Sequence, residues 1–310
     1  MNRLVITLLV FLISTPAWAV ENGSSFQTTA PTGTQVPNWT TGWSGSGITG
    51  WNYVGQVNGD SAVYLGNGWV ITAAHVGVAN FVLSGNTYAV VAGSTQTISN
   101  SDGTADLVLF QINTTAIDNN ATLSLLALVL RSSDPIPFAY GTSGSSVAII
   151  GYGGNEGETW GLNTVTQINE LITPQGFTYV SNDFLTLTGT TTYDNPHGSG
   201  SKSITNNAQV VSGDSGGGDF IYNAATGQWN LAGINEITGT DTSGQALSGF
   251  VQLDTYASQI NAIVDAPIAP TDTPAMPLPG LVVMACLLFF VASGSRRRKA
   301  VANPILGGVS

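Results

Sequence analysis

The chain has 310 residues, 38 of them glycine, and only 8% are charged. Long charged helices are therefore excluded, and short strands joined by many turns are favoured. Between residues 20 and 294 the only bases are Arg131 and Lys202, two against all 18 acids, a net charge of −16. Such a surface repels phosphate backbones and anionic lipid, which argues against nucleic acid as a partner.

Residues 1–19 read as a signal peptide. Arg3 supplies the charged start, Leu4 to Ile13 the apolar run, and Ala17-Trp18-Ala19 the small-x-small cleavage site. The sole cysteine is Cys286, so no intramolecular disulfide forms even after export. A body of about 220 residues buries enough apolar surface to do without one.

Residues 20–50 are polar and turn-rich, and predict a loosely ordered leader with some packing by Trp39 and Trp43. From Trp51 the pattern changes. Val63-Tyr64-Leu65, the turn Gly66-Asn67-Gly68 and Trp69 to Thr72 predict a β-hairpin. Further strands are predicted at 88–91, 107–112, 147–150, 164–172, 177–180, 184–187, 220–222, 229–237 and 250–253. The set reads as all-β, of the sandwich or barrel kind. One helix is predicted over 256–265, where Tyr256, Ile260, Ile263 and Val264 share a face.

A proline-rich linker follows over 267–279. The segment 280–294 is apolar, with a core from Leu281 to Ala292, and Arg296, Arg297, Arg298 and Lys299 come directly after it. It predicts a short transmembrane segment. The basic tail, 295–310, then stays on the cytoplasmic side and the body outside.

The chemistry centres on GDSGGG, Gly213 to Gly218. A serine hydroxyl is a weak nucleophile without a base to take its proton. Only two histidines exist, His75 and His197. His75, in GWVITAAHV, directly follows a predicted strand, whereas His197 lies in the polar loop DNPHGSGSKS. A lone histidine is most often a satisfied core residue, but its position makes His75 the better candidate base. Asp106 opens the apolar run DLVLF, where a carboxylate is costly to bury without a hydrogen-bonding partner. An imidazole N–H is such a partner, although a strand-start aspartate alone is a weak signal.

In the order His75, Asp106, Ser215, the stretches TAAH, ADLVLF and GDSGG together resemble the trypsin/chymotrypsin-like serine protease family over about residues 51–266. Ala148 to Gly153 and Gly249 to Leu253, with the helix after it, fall where that family would place them. The resemblance implies two six-stranded antiparallel barrels with a C-terminal helix and a cleft between the barrels. It implies a catalytic triad of His75, Asp106 and Ser215, with Gly213 and Ser215 as backbone donors of the oxyanion hole. It places the substrate pocket at Gln209, Asn235, Glu236 and Ile237, with uncharged side chains preferred before the cut. The substrates are then proteins or peptides, and neither a cofactor nor a metal is required.

The chain departs from that family in two ways. Val76 and Val211 stand where relatives often carry cysteines. No Ile-Val-Gly-Gly start exists, and no Lys or Arg lies between Arg3 and Arg131, so a trypsin-type cut ahead of the first barrel is impossible. The partner of Asp214 stays open: it is either satisfied within the chain or paired with an amine made by another cleavage. The tail, with Met276-Pro-Leu-Pro-Gly280, the apolar run and the arginines, resembles the PEP-CTERM class of sorting tails, particularly its Val-Pro-Leu-Pro-Ala variant. That resemblance implies a Gram-negative exporter, a tail-processing enzyme in the membrane, and a protein anchored and then surface-held or secreted. Two other functions fit the same residues less well. One is a non-catalytic adhesion or matrix protein on a protease fold. The other is an esterase, which lacks the strand–turn–helix setting of a nucleophile elbow.

Overall fold

The computed structural model describes residues 20–22, 25–153, 156–196 and 198–266. The signal peptide, linker, apolar segment, basic tail and His197 lie outside these residues. Among the described residues no helix is long and apolar enough to cross a membrane. The described residues through Asp265 belong to one compact unit.

The predicted hairpin forms from Asp60–Gly66 and Trp69–Thr72. Its turn residues Gly66, Asn67 and Gly68 all take positive φ, which glycine and asparagine adopt at little cost. The hairpin is the centre of an antiparallel seven-stranded sheet. In spatial order its strands are Asn86–Tyr88, Phe81–Leu83, Val54–Val57, Asp60–Gly66, Trp69–Thr72, Gly103–Gln111 and Gln96–Asn100. The expected first six-stranded barrel is therefore an open sheet with seven strands. Its edges do not pair as strands. After Tyr88 the chain makes only an isolated bridge, Val90 to Ile112, beside single hydrogen bonds such as Val91 N to Gln111 O.

The second half closes as expected. Ser146–Gly151, Thr159–Ile172, Ser181–Leu187, Ala246–Gln252, Gln228–Thr240 and Gly218–Asn223 form a closed antiparallel barrel. Phe184 and Phe250, stacked with centroids 4.9 Å apart, fill its interior with Val147, Ile149 and Val165. The helix forms over Ala257–Val264 and buries Ile260 and Val264 against the first sheet's core.

Two expectations are corrected. Residues 177–180 form no strand but belong to a loop, with Phe177 exposed. A strand there needs a partner, and Val180 finds only one bond, N–H to the Thr104 carbonyl. The leader 20–50 is not loose. Glu21–Asn22 pairs with Ala208–Gln209, and Val20, Val36 and Trp39 are fully or almost fully buried. Trp39 meets Trp229 edge-on at 4.9 Å, and the Trp229 indole N–H and backbone N–H donate to Asn38 O and Gly42 O. The expected packing of Trp39 and Trp43 is present, and this aromatic burial together with the Glu21–Asn22 pairing, rather than strand periodicity, holds the segment.

Trp39 is thus a core residue of the body. Trp39→Ala is expected to lower unfolding free energy by roughly 3–5 kcal/mol, as for other buried aromatics. Denaturant titration checks this, and a loss under about 1 kcal/mol would return 20–50 to the status of a leader.

Candidate active site

The strand Trp69–Thr72 delivers the chain to a turn in which Val76 N–H donates to Ala73 O. This turn presents His75. The neighbouring strand Gly103–Gln111 carries Asp106, which is fully buried. The Asp106 carboxylate accepts twice from His75: the backbone N–H at 2.8 Å and ring Nδ1 at 2.5 Å. A carboxylate only accepts, so Nδ1 carries the proton and Nε2 is left as the acceptor. The double contact fixes both the backbone and the ring plane of His75.

Ser215 sits on a loop between Ala208–Gln209 and Gly218–Asn223. Gly213 has φ of +96° and Gly216 of +84°, a backbone region closed to most side chains. A Cβ on Gly216 would strike the Thr72 hydroxyl and the Ser61 carbonyl, so the first sheet presses directly against the loop. Ser61, fully buried, ties the two halves together. Its N–H donates to Ser215 O at 2.9 Å, and its hydroxyl donates to Gly213 O at 3.2 Å. Asn235 does the same from the barrel side, with its side-chain amide donating to Asp214 O and Ile150 O.

Behind the histidine lies a second layer that sequence reading missed. Asp106 N–H donates to Ser181 Oγ, and Ser181 Oγ–H donates to Glu236 Oε1, both at 2.9 Å. Asp183 and Glu236 are buried beside each other. Burial is the main cause that pushes both above the ordinary carboxylate range; the charge of Asp106 adds to it for both, and that of Asp183 for Glu236. Only the spacing Ser181-x-Asp183 at the start of a strand hinted at this, and period-2 alternation explains it equally well.

His75 and Ser215 face one cleft of about 340 Å³. Glu236, Ile237 and Thr238 line one wall, Val210 to Gly213 another, and Pro174, Gln175 and Phe177 a third. The Phe177 ring lies 5.3 Å from the imidazole. Of the sequence-derived pocket residues, Glu236 and Ile237 line the cleft. Gln209 and Asn235 are not among its lining residues: Gln209 pairs with Glu21, and Asn235 is spent on the serine loop. The Glu236 carboxyl is engaged by Ser181 and Asp183, so it offers no free counter-charge to a basic side chain.

Burial pulls the imidazole of His75 down, but the Asp106 hydrogen bond and the charges of Asp106 and Asp60 outweigh it and raise it above the usual value. Asp60 also lines the cleft. A reaction that uses neutral His75 therefore gains rate as pH rises through a midpoint above about 6.5. Asp60→Asn removes one stabiliser of the imidazolium and is expected to move that midpoint to lower pH. A pH–kcat/KM profile checks this, and an unmoved or higher midpoint would contradict the assignment.

A family model described as Trypsin matches residues 42–260. No curated protein matches the chain. Among solved structures, the HtrA-type protease AlgW with a decapeptide is similar at 20% identity and a TM-score of 0.41, over 67% of this chain and 52% of that one. A variant of AlgW with a tripeptide is similar at 18% identity and a TM-score of 0.40, over 67% of this chain and 56% of that one. The chain thus spans about half the length of the structures it matches. The Trypsin match covers most of the chain, both sheets and the serine loop included, and the chain belongs to the trypsin-like serine protease family.

Proposed function

We propose that the protein is an exported serine endopeptidase that cleaves through an acyl-enzyme. One observation carries this reading: His75, fixed twice by buried Asp106, shares a cleft with Ser215 on a left-handed glycine loop. His75 Nε2 takes the Ser215 proton as Oγ attacks the carbonyl carbon. It then returns the proton to the leaving amine. Asp106 holds the tautomer and stabilises the imidazolium. The backbone N–H groups of Gly213 and Ser215 receive the oxyanion, each worth roughly 3–4 kcal/mol of transition-state stabilisation. Water then repeats the sequence on the ester, freeing Ser215.

The cleft walls favour uncharged side chains before the cut, since Val210, Val211 and Ile237 are apolar and Glu236 is already engaged. Profiling the exported protein on a peptide library tests both claims. Ser215→Ala and His75→Ala are each expected to lower kcat by several orders of magnitude, on the order of 10⁶, and the double variant no further, because the two act as a unit. Additive losses would remove the shared role, and cleavage chiefly after Lys or Arg would remove the specificity.

Export and anchoring complete the proposal. The signal peptide sends the body across the inner membrane of a Gram-negative cell, and the segment 280–294 with its arginines holds it until the tail-processing enzyme acts. Deletion of residues 276–310 is expected to release a folded enzyme that still takes a fluorophosphonate probe on Ser215. Retention of that truncated protein in the membrane fraction would refute the anchor.

A further inference from the structure

Asp60 opens the strand Asp60–Gly66, is half-buried, and lines the cleft with His75 and Ser215. Its backbone is fixed on both sides. Before it, Asn58 and Gly59 take positive φ and Val57 pairs with Asp60 across them. The Asn58 side-chain amide donates to Val76 O at 2.9 Å, which ties this turn to the residue after His75. After it, Ser61 is bonded to Ser215 O and Gly213 O. Asp60 is thus held between the segment that carries His75 and the loop that carries Ser215. Its carboxylate is left open: among the described residues no N–H or O–H donates to it, and His75 is the one charged group that acts on it.

The other charged groups of the cleft are spoken for. Glu236 accepts from Ser181, and His75 gives its Nδ1 proton to Asp106. The two bases of the body are engaged elsewhere. The Arg131 guanidinium donates to Asp134 O at 3.1 Å, and Lys202 Nζ donates to Thr142 O at 3.1 Å and lies over the Phe138 ring. Burial raises the Asp60 carboxyl above its ordinary value, and a charged imidazole pulls it back. In the form that begins the reaction His75 is neutral, so Asp60 then faces the cleft with no cation. A partly desolvated carboxylate in that state gains from a cation brought to it. The body adds its own field, with two bases against 18 acids between residues 20 and 294, and draws cationic peptides toward the cleft.

The chemistry fixes which part of a substrate reaches Asp60. The side chain before the cut goes to the walls built by Val210 to Gly213 and by Ile237 and Thr238, all from the barrel half. The leaving amine takes its proton from His75 Nε2, so the residues after the cut depart along His75. Among the described residues, the first sheet contributes only His75 and Asp60 to the cleft lining. We infer that Asp60 determines specificity on the leaving-group side: its carboxylate receives a Lys or Arg side chain carried by one of the first two residues after the cut. This rests on the serine-peptidase reading above. The contact is an ion pair, with no bond made to Asp60. The enzyme then reads two different things, an uncharged side chain before the cut and a cationic one after it.

The test uses peptides that share one sequence before the cut and carry Lys, Gln or Glu at the first or second position after it. The exported protein is compared with its Asp60→Asn and Asp60→Lys forms at a pH above the His75 midpoint. The ratio of kcat/KM between two peptides is taken within each form, so any effect of the substitution on His75 cancels. A residue that only tuned the imidazole would leave every ratio unchanged. The unaltered protein is expected to cleave the better Lys peptide roughly fivefold to tenfold faster than its Gln counterpart. Asp60→Asn is expected to bring that ratio near one, and Asp60→Lys to favour Glu. No preference for Lys at either position, or a preference that Asp60→Asn keeps, overturns the inference. Should Asp60→Lys fail to fold, the isosteric Asp60→Asn still decides. If no form cleaves any peptide, the peptidase reading falls instead, and fluorescence anisotropy of the same peptides, labelled, decides the site. Tighter binding of the Lys peptide that Asp60→Asn abolishes supports it, and equal binding of the Lys and Glu peptides overturns it.

Discussion

The burial of carboxylates in a body with almost no cations is the constraint on which this structure depends. Asp106, Asp183, Asp214, Asp219 and Glu236 are all buried, while only Arg131 and Lys202 are available as bases. Each acid therefore takes a different way of meeting the cost of desolvation. Asp106 is met by an imidazole and a backbone N–H. Asp214 is met by backbone donors from three separate segments. Asp183 and Glu236 lie buried side by side, with Glu236 accepting from Ser181, and Asp219, whose oxygens find no partner among the described residues, is pushed well up. Asp106 and Asp214, the two that backbone N–H groups meet, flank His75 and Ser215.

The same economy explains why the site sits where the two halves meet. Neither half contains a complete site. His75 and Asp106 belong to adjacent strands of the open sheet, while Ser215 comes from the barrel side. The proton transfer proposed between Ser215 and His75 requires the halves to be registered to within a fraction of an ångström. Ser61 supplies part of that register, because one residue of the first sheet bonds to Ser215, Gly213 and Tyr152 at once. Gly216 supplies another part. Without a side chain it lets the loop rest against Thr72 and Ser61, and any Cβ there would wedge the halves apart.

Much of this was legible in the sequence, and the reasons for the rest are specific. The hairpin at 60–72 declared itself through Gly66-Asn67-Gly68, a turn whose backbone demands those residues. The helix at 257–264 declared itself through one apolar face. His75, Asp106 and Ser215 were singled out because their motifs occur in a fixed order, and the fold brings His75, bonded to Asp106, into one cleft with Ser215. Ser181, Asp183 and Ser61 were not found, and Asn235 was assigned to the substrate pocket rather than to the serine loop it holds, since each is a small polar residue on an apolar strand and its partner lies far along the chain. Phe177 read as part of a strand because aromatic and β-branched residues surround it, yet no neighbouring strand is there to receive it. Strand propensity describes a half-buried pleated surface, and only tertiary pairing creates one.

The leader is the most instructive of these errors. Residues 20–50 lack periodicity because they neither form a helix nor lie in a long sheet. They reach across the barrel with a few anchor points: Val20 in the core, Glu21 and Asn22 on the strand before the serine loop, and Trp39 and Trp43 against Phe220 and Trp229. The anchors are spread over 24 residues, too far apart for any local pattern to register them. Their effect is nonetheless local to the chemistry. Gln209 and Ala208, which receive the first anchor, lie only a few residues before Ser215, and Phe220, which receives the last, a few residues after it. The Ser215 loop is thus gripped on both flanks by the segment that looks least structured in the sequence.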